Sequence, residues 1–162
     1  CNAMETLLID EAIAPALLPR MGEAMKKHGV EFRADEKALA ILGEGCKAAV
    51  AKDWDTEYLD LICAVRLVHG LDEAIDHIND HGSGHTDTIV TDDAAAAARF
   101  QNEVDSSTVF WNASTRFTDG AQFGMGAEIG ISTDKIGARG PMGLAELTSY
   151  KWLGMGEGLI RK

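Results

Sequence analysis

Cys1 opens the run CNAMETLLID and stands directly before residues whose apolar members, Met4, Leu7, Leu8 and Ile13, recur at helical spacing. A thiol at a helix start lies among free backbone N–H groups at the positive end of the helix dipole, which lowers its pKa and favours the nucleophilic thiolate. The same N–H groups would hold the oxyanion formed when that thiolate attacks a carbonyl. Read alone, a terminal cysteine is more often a cloning remnant or a small buried residue. A second group is NASTRF, Asn112 to Phe117, which follows the apolar run Thr108 to Trp111 where an α/β sheet presents ligand-binding groups. Asn112, Ser114 and Arg116 offer amide, hydroxyl and guanidinium donors for an anionic ligand, and an ordinary polar loop fits the spacing equally well.

The remaining candidates are weaker. His77 and His81 are spaced i, i+4, but the pair runs off a helix end into glycines, so exposed helix-end histidines are expected there and no metal site. His85, in the turn GSGHT before a strand, is the histidine placed to face a ligand. Cys46 and Cys63 lie in the apolar surroundings KAAV and LICAV and read as inert, reduced core residues. Three cysteines at wide spacing fit neither a disulfide framework nor a zinc site. GAEIGIST is no GxGxxG fingerprint between strand and helix.

The elements that must position these groups read as follows. Helical spacing extends from Asn2 to about His28, with a joint at Pro15 and Pro19 and a C-cap at Gly29. A short strand from Val30 to Arg33 and a helix from Glu36 to Leu42 come next, then a buried strand within Tyr58 to Val68 and a helix from Leu71 to Asn79. Thr86 to Thr91 reads as a strand, Asp92 as the cap of an alanine-rich helix from Asp93 to about Val104, and Thr108 to Trp111 as another strand. Alternation of strand and helix favours a mostly parallel sheet covered by helices, an α/β architecture. Beyond Asn112 glycines separate short segments such as Ile129 to Ser132 and Leu147 to Leu153, so this part is expected to be loop-rich and to pack on another domain or subunit.

Composition narrows the function. With 162 residues, 46% hydrophobic and 25% charged, the chain can bury a core as one domain. A formal charge of −11 argues against nucleic acid and anionic membranes as partners. No stretch approaches a membrane span and no signal peptide is visible, so a cytoplasmic protein is expected. The opening on Cys, without lead-in to the first element, suggests a fragment of a longer protein.

In combination these segments resemble the gamma-glutamyl phosphate reductases of the aldehyde dehydrogenase superfamily. CNAMETLLID is similar to their catalytic segment, and GSGHTDTIVTDDAAAA, VDSSTVFWNASTRFTDG and FGMGAEIGISTDKIGARGPMGLAELTSYKWL are similar to their downstream motifs, in the same order and to the C-terminus. The resemblance puts Cys1 on the nucleophile and implies an aldehyde-dehydrogenase-like α/β catalytic domain. It implies that residues 1–145 are part of the thiol domain and that residues 146–162 are a C-terminal oligomerisation strand and tail, with LTSYKWL as the strand that pairs subunits in a homo-oligomer. Glu57 corresponds to the glutamate that contacts the nicotinamide ribose, although Leu59-Asp60-Leu61 replaces the Phe-Gly-Pro that usually follows. The implied reaction is NADPH-dependent reduction of L-glutamyl 5-phosphate to L-glutamate 5-semialdehyde with release of phosphate, through a cysteine thioester, in proline biosynthesis. Asn112, Ser114, Arg116 and His85 would then bind substrate. The cofactor domain of such enzymes precedes the cysteine, so this chain is expected to be about their C-terminal two-fifths. Two other readings remain: an aldehyde dehydrogenase that hydrolyses the thioester to the acid, and a non-catalytic assembly module.

Overall fold

The computed structural model describes residues 2–126, 129–131, 135, 137–158, 160 and 161. The strand at Ile62–Val68 pairs in parallel with Thr6–Asp10 on one side and with Glu31–Ala34 on the other, and Lys47–Ala48 adds a short edge. In chain order these four are β1 (Thr6–Asp10), β2 (Glu31–Ala34), β3 (Lys47–Ala48) and β4 (Ile62–Val68), giving the sheet order β1-β4-β2-β3. Helices α1 (Ala14–Lys26), α2 (Glu36–Leu42) and α3 (Gly70–His81) cover it. A second, two-stranded parallel sheet joins β5 (Thr86–Ile89) to β6 (Thr108–Trp111), linked by α4 (Ala94–Glu103). An antiparallel pair, β7 (Ile129–Ile131) and β8 (Gly140–Met142), closes the regular structure. The mostly parallel α/β design expected from the alternation is thus present.

Successive side chains of β4 point to opposite faces, and both faces are covered. On one, Cys63, Val65 and Leu67 join Phe32, Ala14 and Leu18 of α1 and Ala38 and Leu42 of α2 in a continuous core. Phe32 is 1% exposed, and its burial alone contributes about 1.5–3 kcal/mol. Asp35 caps α2 by accepting from the Ala38 N–H at 2.7 Å, while its other oxygen accepts from Leu67 N at 2.9 Å, so one carboxylate locks helix to sheet. Ile75 of α3 and Phe100 of α4 form a smaller core with Val104, against which Ile89 and Val109 pack.

The beginning of the chain departs from its expected helix. Thr6–Asp10 is a strand, because β4 offers it a full ladder from Thr6 opposite Ala64 to Asp10 opposite Val68. Asp10 ends it by accepting from the Ala12 N–H at 2.8 Å, and Pro15 in the first turn of α1 starts the helix, where a missing N–H costs nothing. Pro19 lies inside α1, which continues through it without the expected joint. Residues 2–5 carry no helix, so no helix N-terminus stands behind Cys1, and the dipole argument for its activation does not hold. Cys1 itself lies outside the described residues. The cap of α4 is Asp93, accepting from the N–H groups of Ala95 and Ala96, rather than Asp92. Leu147 to Leu153 forms no strand within this chain, and Tyr150, Trp152 and Leu153 are exposed there. No helix among the described residues is long and apolar enough to cross a membrane.

His77 is not the exposed helix-end residue expected. It is 5% exposed, its Nδ1 lies 2.8 Å from Arg66 Nη1 of β4, and its ring meets Trp54 edge-on at 5.5 Å and His81 at 4.7 Å. Arg66 also pairs with Glu73 at 2.7 Å, so this cluster fastens α3 to the sheet. Burial, then the Arg66 charge and His81, hold the His77 pKa down to about 4, against the pull of Glu73 and Asp55. The folded state therefore refuses a proton that the unfolded chain accepts from about pH 6.5 downward. Stability should fall as the pH drops from about 6.5 to about 4 and this contribution should level off below that. Urea unfolding across that range should show the loss in the native protein and a flatter profile in a His77→Gln variant.

Candidate functional site

The segment that follows Cys1 is pinned to the loop after β6. Asn2 donates from Nδ2 to the carbonyl of Thr118 at 3.0 Å, and its own carbonyl accepts from Thr115 Oγ1 at 2.7 Å. The loop is shaped for this clasp by a single 3-10 turn, Thr115–Phe117, capped by Ser114, whose hydroxyl oxygen accepts from Arg116 N at 3.2 Å. Strand β5 supports it from below. Alternation puts the hydroxyls of Thr86 and Thr88 on one face, where Thr88 donates to the Ala113 carbonyl at 2.8 Å and Thr86 to Thr118 Oγ1 at 2.9 Å. A cleft of about 590 Å³ opens here, lined by Met4, Thr88, Val90, Asn112, Ser114 and Thr115.

The expected site residues are brought together unevenly. Ser114 lines the cleft. Arg116 is exposed beside it, in a smaller depression with Phe117 and Gln122. Asn112 also lines the cleft, but its amide is engaged at both ends with Thr91, accepting from N and donating to O, each at 2.9 Å. It adopts a φ of +52°, a left-handed conformation that asparagine tolerates better than most residues. His85 is 6% exposed, with Nδ1 2.7 Å from Thr86 Oγ1. Burial lowers its pKa, against the opposing charges of Asp87 and Glu57. No group of three or more His, Cys, Asp or Glu side chains that could hold a metal occurs among the described residues.

Glu57 is exposed on the segment that leads into β4, opposite the start of β1. Its charge reaches Glu5, whose carboxyl is raised first by burial and then by Glu57, despite the Tyr58 N–H bonded to it. Asp53, 3% exposed, anchors the same segment: it accepts from Val50 N at 2.8 Å, Arg33 Nη1 at 2.7 Å and the Tyr58 hydroxyl at 3.0 Å. Burial would raise its pKa, and these three donors outweigh burial and hold it low. The Arg33 guanidinium stacks over the Tyr58 ring at 5.1 Å. Cys63 is buried and its thiol is pushed up to about 12, and burial also raises Cys46, so neither is a nucleophile at neutral pH. Sequence reasoning missed Asn2, Thr118 and the threonine pair of β5; the alternating TDT at Thr86 to Thr88 was the available signal for the last.

Residues 54–153 match the model of the aldehyde dehydrogenase family, and the chain belongs to that family. Within it, the chain is similar to the gamma-glutamyl phosphate reductases of Dehalococcoides mccartyi, at 58% identity over 99% of this chain and 39% of that protein, and of Psychrobacter arcticus, at 56% over the same shares. The crystal structure of the gamma-glutamyl phosphate reductase of Thermotoga maritima superposes with a TM-score of 0.91 at 51% identity, over 100% of this chain and 39% of that one. The chain thus spans about two-fifths of the length of these relatives.

Asn112 provides a direct check of the loop's construction. Replacing it by alanine removes two hydrogen bonds and leaves a Cβ-bearing residue in a left-handed conformation, and should cost about 1–3 kcal/mol in urea unfolding. Asn112→Gly should recover only the conformational part.

Proposed function

We propose that this chain is the thiol-bearing part of an NADPH-dependent gamma-glutamyl phosphate reductase of the cytoplasm, which converts L-glutamyl 5-phosphate to L-glutamate 5-semialdehyde in proline biosynthesis. The observation that supports it most is the 58% identity to a protein of that name across 99% of the chain. The Cys1 thiolate attacks the 5-carbonyl, the bond from that carbon to the phosphate oxygen breaks, and inorganic phosphate leaves an enzyme thioester. NADPH, when bound, supplies the hydride that reduces the thioester to the semialdehyde and frees the thiol. Glu57 suits the cofactor's ribose, since an exposed carboxylate accepts from hydroxyls. The clasp from Asn2 to Thr115 and Thr118 places the Ser114 and Arg116 loop beside the segment that follows the nucleophile, where it would hold the substrate's anionic groups. Exposure of Tyr150, Trp152 and Leu153 supports LTSYKWL as the strand that pairs subunits of a homo-oligomer, and residues 146–162 as its tail.

In the longer protein that carries this chain, Cys1→Ser should lower phosphate-dependent oxidation of glutamate 5-semialdehyde by at least about 1000-fold. Retained turnover would remove Cys1 from the mechanism, and turnover independent of phosphate that yields the acid would point to a hydrolytic aldehyde dehydrogenase. Arg116→Gln should raise the KM for the semialdehyde or for phosphate about 10-fold or more while leaving the KM for NADP unchanged, as loss of a charge-assisted hydrogen bond predicts. Steady-state kinetics on the pair of variants separate the two roles.

A further inference from the structure

We propose that Thr86 and Thr118 are positioning residues of the thiol site: their hydroxyls hold the His85 ring in its Nδ1–H form, with Nε2 as a hydrogen-bond acceptor, and tie that ring to the segment after Cys1. This rests on the function proposed above. In the proposed arrangement Thr86 gives its single hydroxyl proton to Thr118 Oγ1, 2.9 Å away. The contact of 2.7 Å between Thr86 Oγ1 and His85 Nδ1 then requires the ring nitrogen to donate. A neutral imidazole that donates from Nδ1 keeps its lone pair on Nε2.

The opposite nitrogen lies against the neighbouring strand at a glycine. Nε2 faces Gly130 of β7, where an added Cβ would stand 3.0 Å from it, so any side chain at that position would press on the acceptor. At the other end, Thr118 is 5% exposed, and its carbonyl receives the Asn2 amide at 3.0 Å. The path from the ring thus runs through two hydroxyls and then through the covalent frame of Thr118 to the residue that follows Cys1. Thr115 closes the series by donating to the Asn2 carbonyl at 2.7 Å. A valine at position 86 has the shape of threonine and no hydroxyl, and would release the ring and the Asn2 segment from each other.

The test uses the longer protein with ¹⁵N-labelled histidine, the His85 signals being assigned by their absence from His85→Gln. The wild-type ring should give the Nδ1–H pattern at neutral pH. In Thr86→Val that pattern should be lost, alkylation of Cys1 by iodoacetamide should slow about 10- to 100-fold, and kcat should fall with little change in KM, as misplacement of a reacting group predicts. Thr86→Ser, which keeps the hydroxyl, should restore all three. Should Thr86→Val fail to fold by circular dichroism, Thr118→Ala is expected to give the same loss of pattern and of alkylation rate. An Nε2–H ring in the wild type, or wild-type alkylation rates in the folded Val or Ala variant, would overturn the proposal. If complete alkylation of Cys1 leaves phosphate-dependent turnover intact, the proposed function fails instead, whichever tautomer the ring shows.

Discussion

The larger sheet of this chain is hung on one strand paired along both edges. β4 carries β1 and β2 in parallel register, and parallel neighbours cannot be joined by a tight turn, so each connection must travel over a face of the sheet. That requirement makes α1 and α2 necessary as covers of one face of β4, while α3 packs on the other through Arg66. It also fixes the site. The pairing of Thr6 with Ala64 brings the residues after Cys1 alongside the segment that bears Glu57, and no local feature of either stretch would do so.

Where a segment's local preferences agreed with its place in this sheet, its identity was legible. Glu36–Leu42 has a capping aspartate before it, a glycine after it and helical spacing between, and it is a helix with those bounds. Thr108–Trp111 is short, apolar and flanked by polar residues, and it is a strand. Thr6–Asp10 shows the opposite case. Its leucines match helical spacing with Met4, but the ladder offered by β4 is a tertiary fact that spacing within one segment does not carry. The chemical consequence is larger than the error in boundaries, because the helix dipole was the proposed source of thiol activation.

The site shows the same division. Two residues of the proposed site, Ser114 and Arg116, were legible by type and by position after a strand. Their supports were not, since Asn2 and Thr118 are 116 positions apart and join through a side-chain amide and a carbonyl. Asn112 looked like a ligand donor from its type, and the left-handed backbone that makes it a clamp on Thr91 becomes visible only when the loop is folded. His77 went the same way. Its i, i+4 partner suggested an exposed helix end, whereas the arginine that buries it lies on a strand formed earlier in the chain.

Electrostatics set a limit on how such a site can work. The chain carries a formal charge of −11, and Glu5 and Glu57 stand close to one another near the start of β1. An anionic ligand would gain little from such surroundings, and Coulomb repulsion in a half-buried site is stronger than in water. Two features offset it. Burial and the charge of Glu57 raise the Glu5 carboxyl, which favours its neutral form, and Arg116 provides a cation on the cleft side. Besides Asp92, which also lines the cleft, the groups that face it or support it, Ser114, Thr88, Thr115 and His85, act as dipoles whose directions are fixed by hydrogen bonds to backbone or to one another. Oriented dipoles stabilise charge that develops at one place without attracting protons or metal ions to the resting site. If an acidic chain is to hold an anion, as proposed above, fixed hydroxyls and one arginine serve better than a cluster of cations, which the neighbouring carboxylates would neutralise.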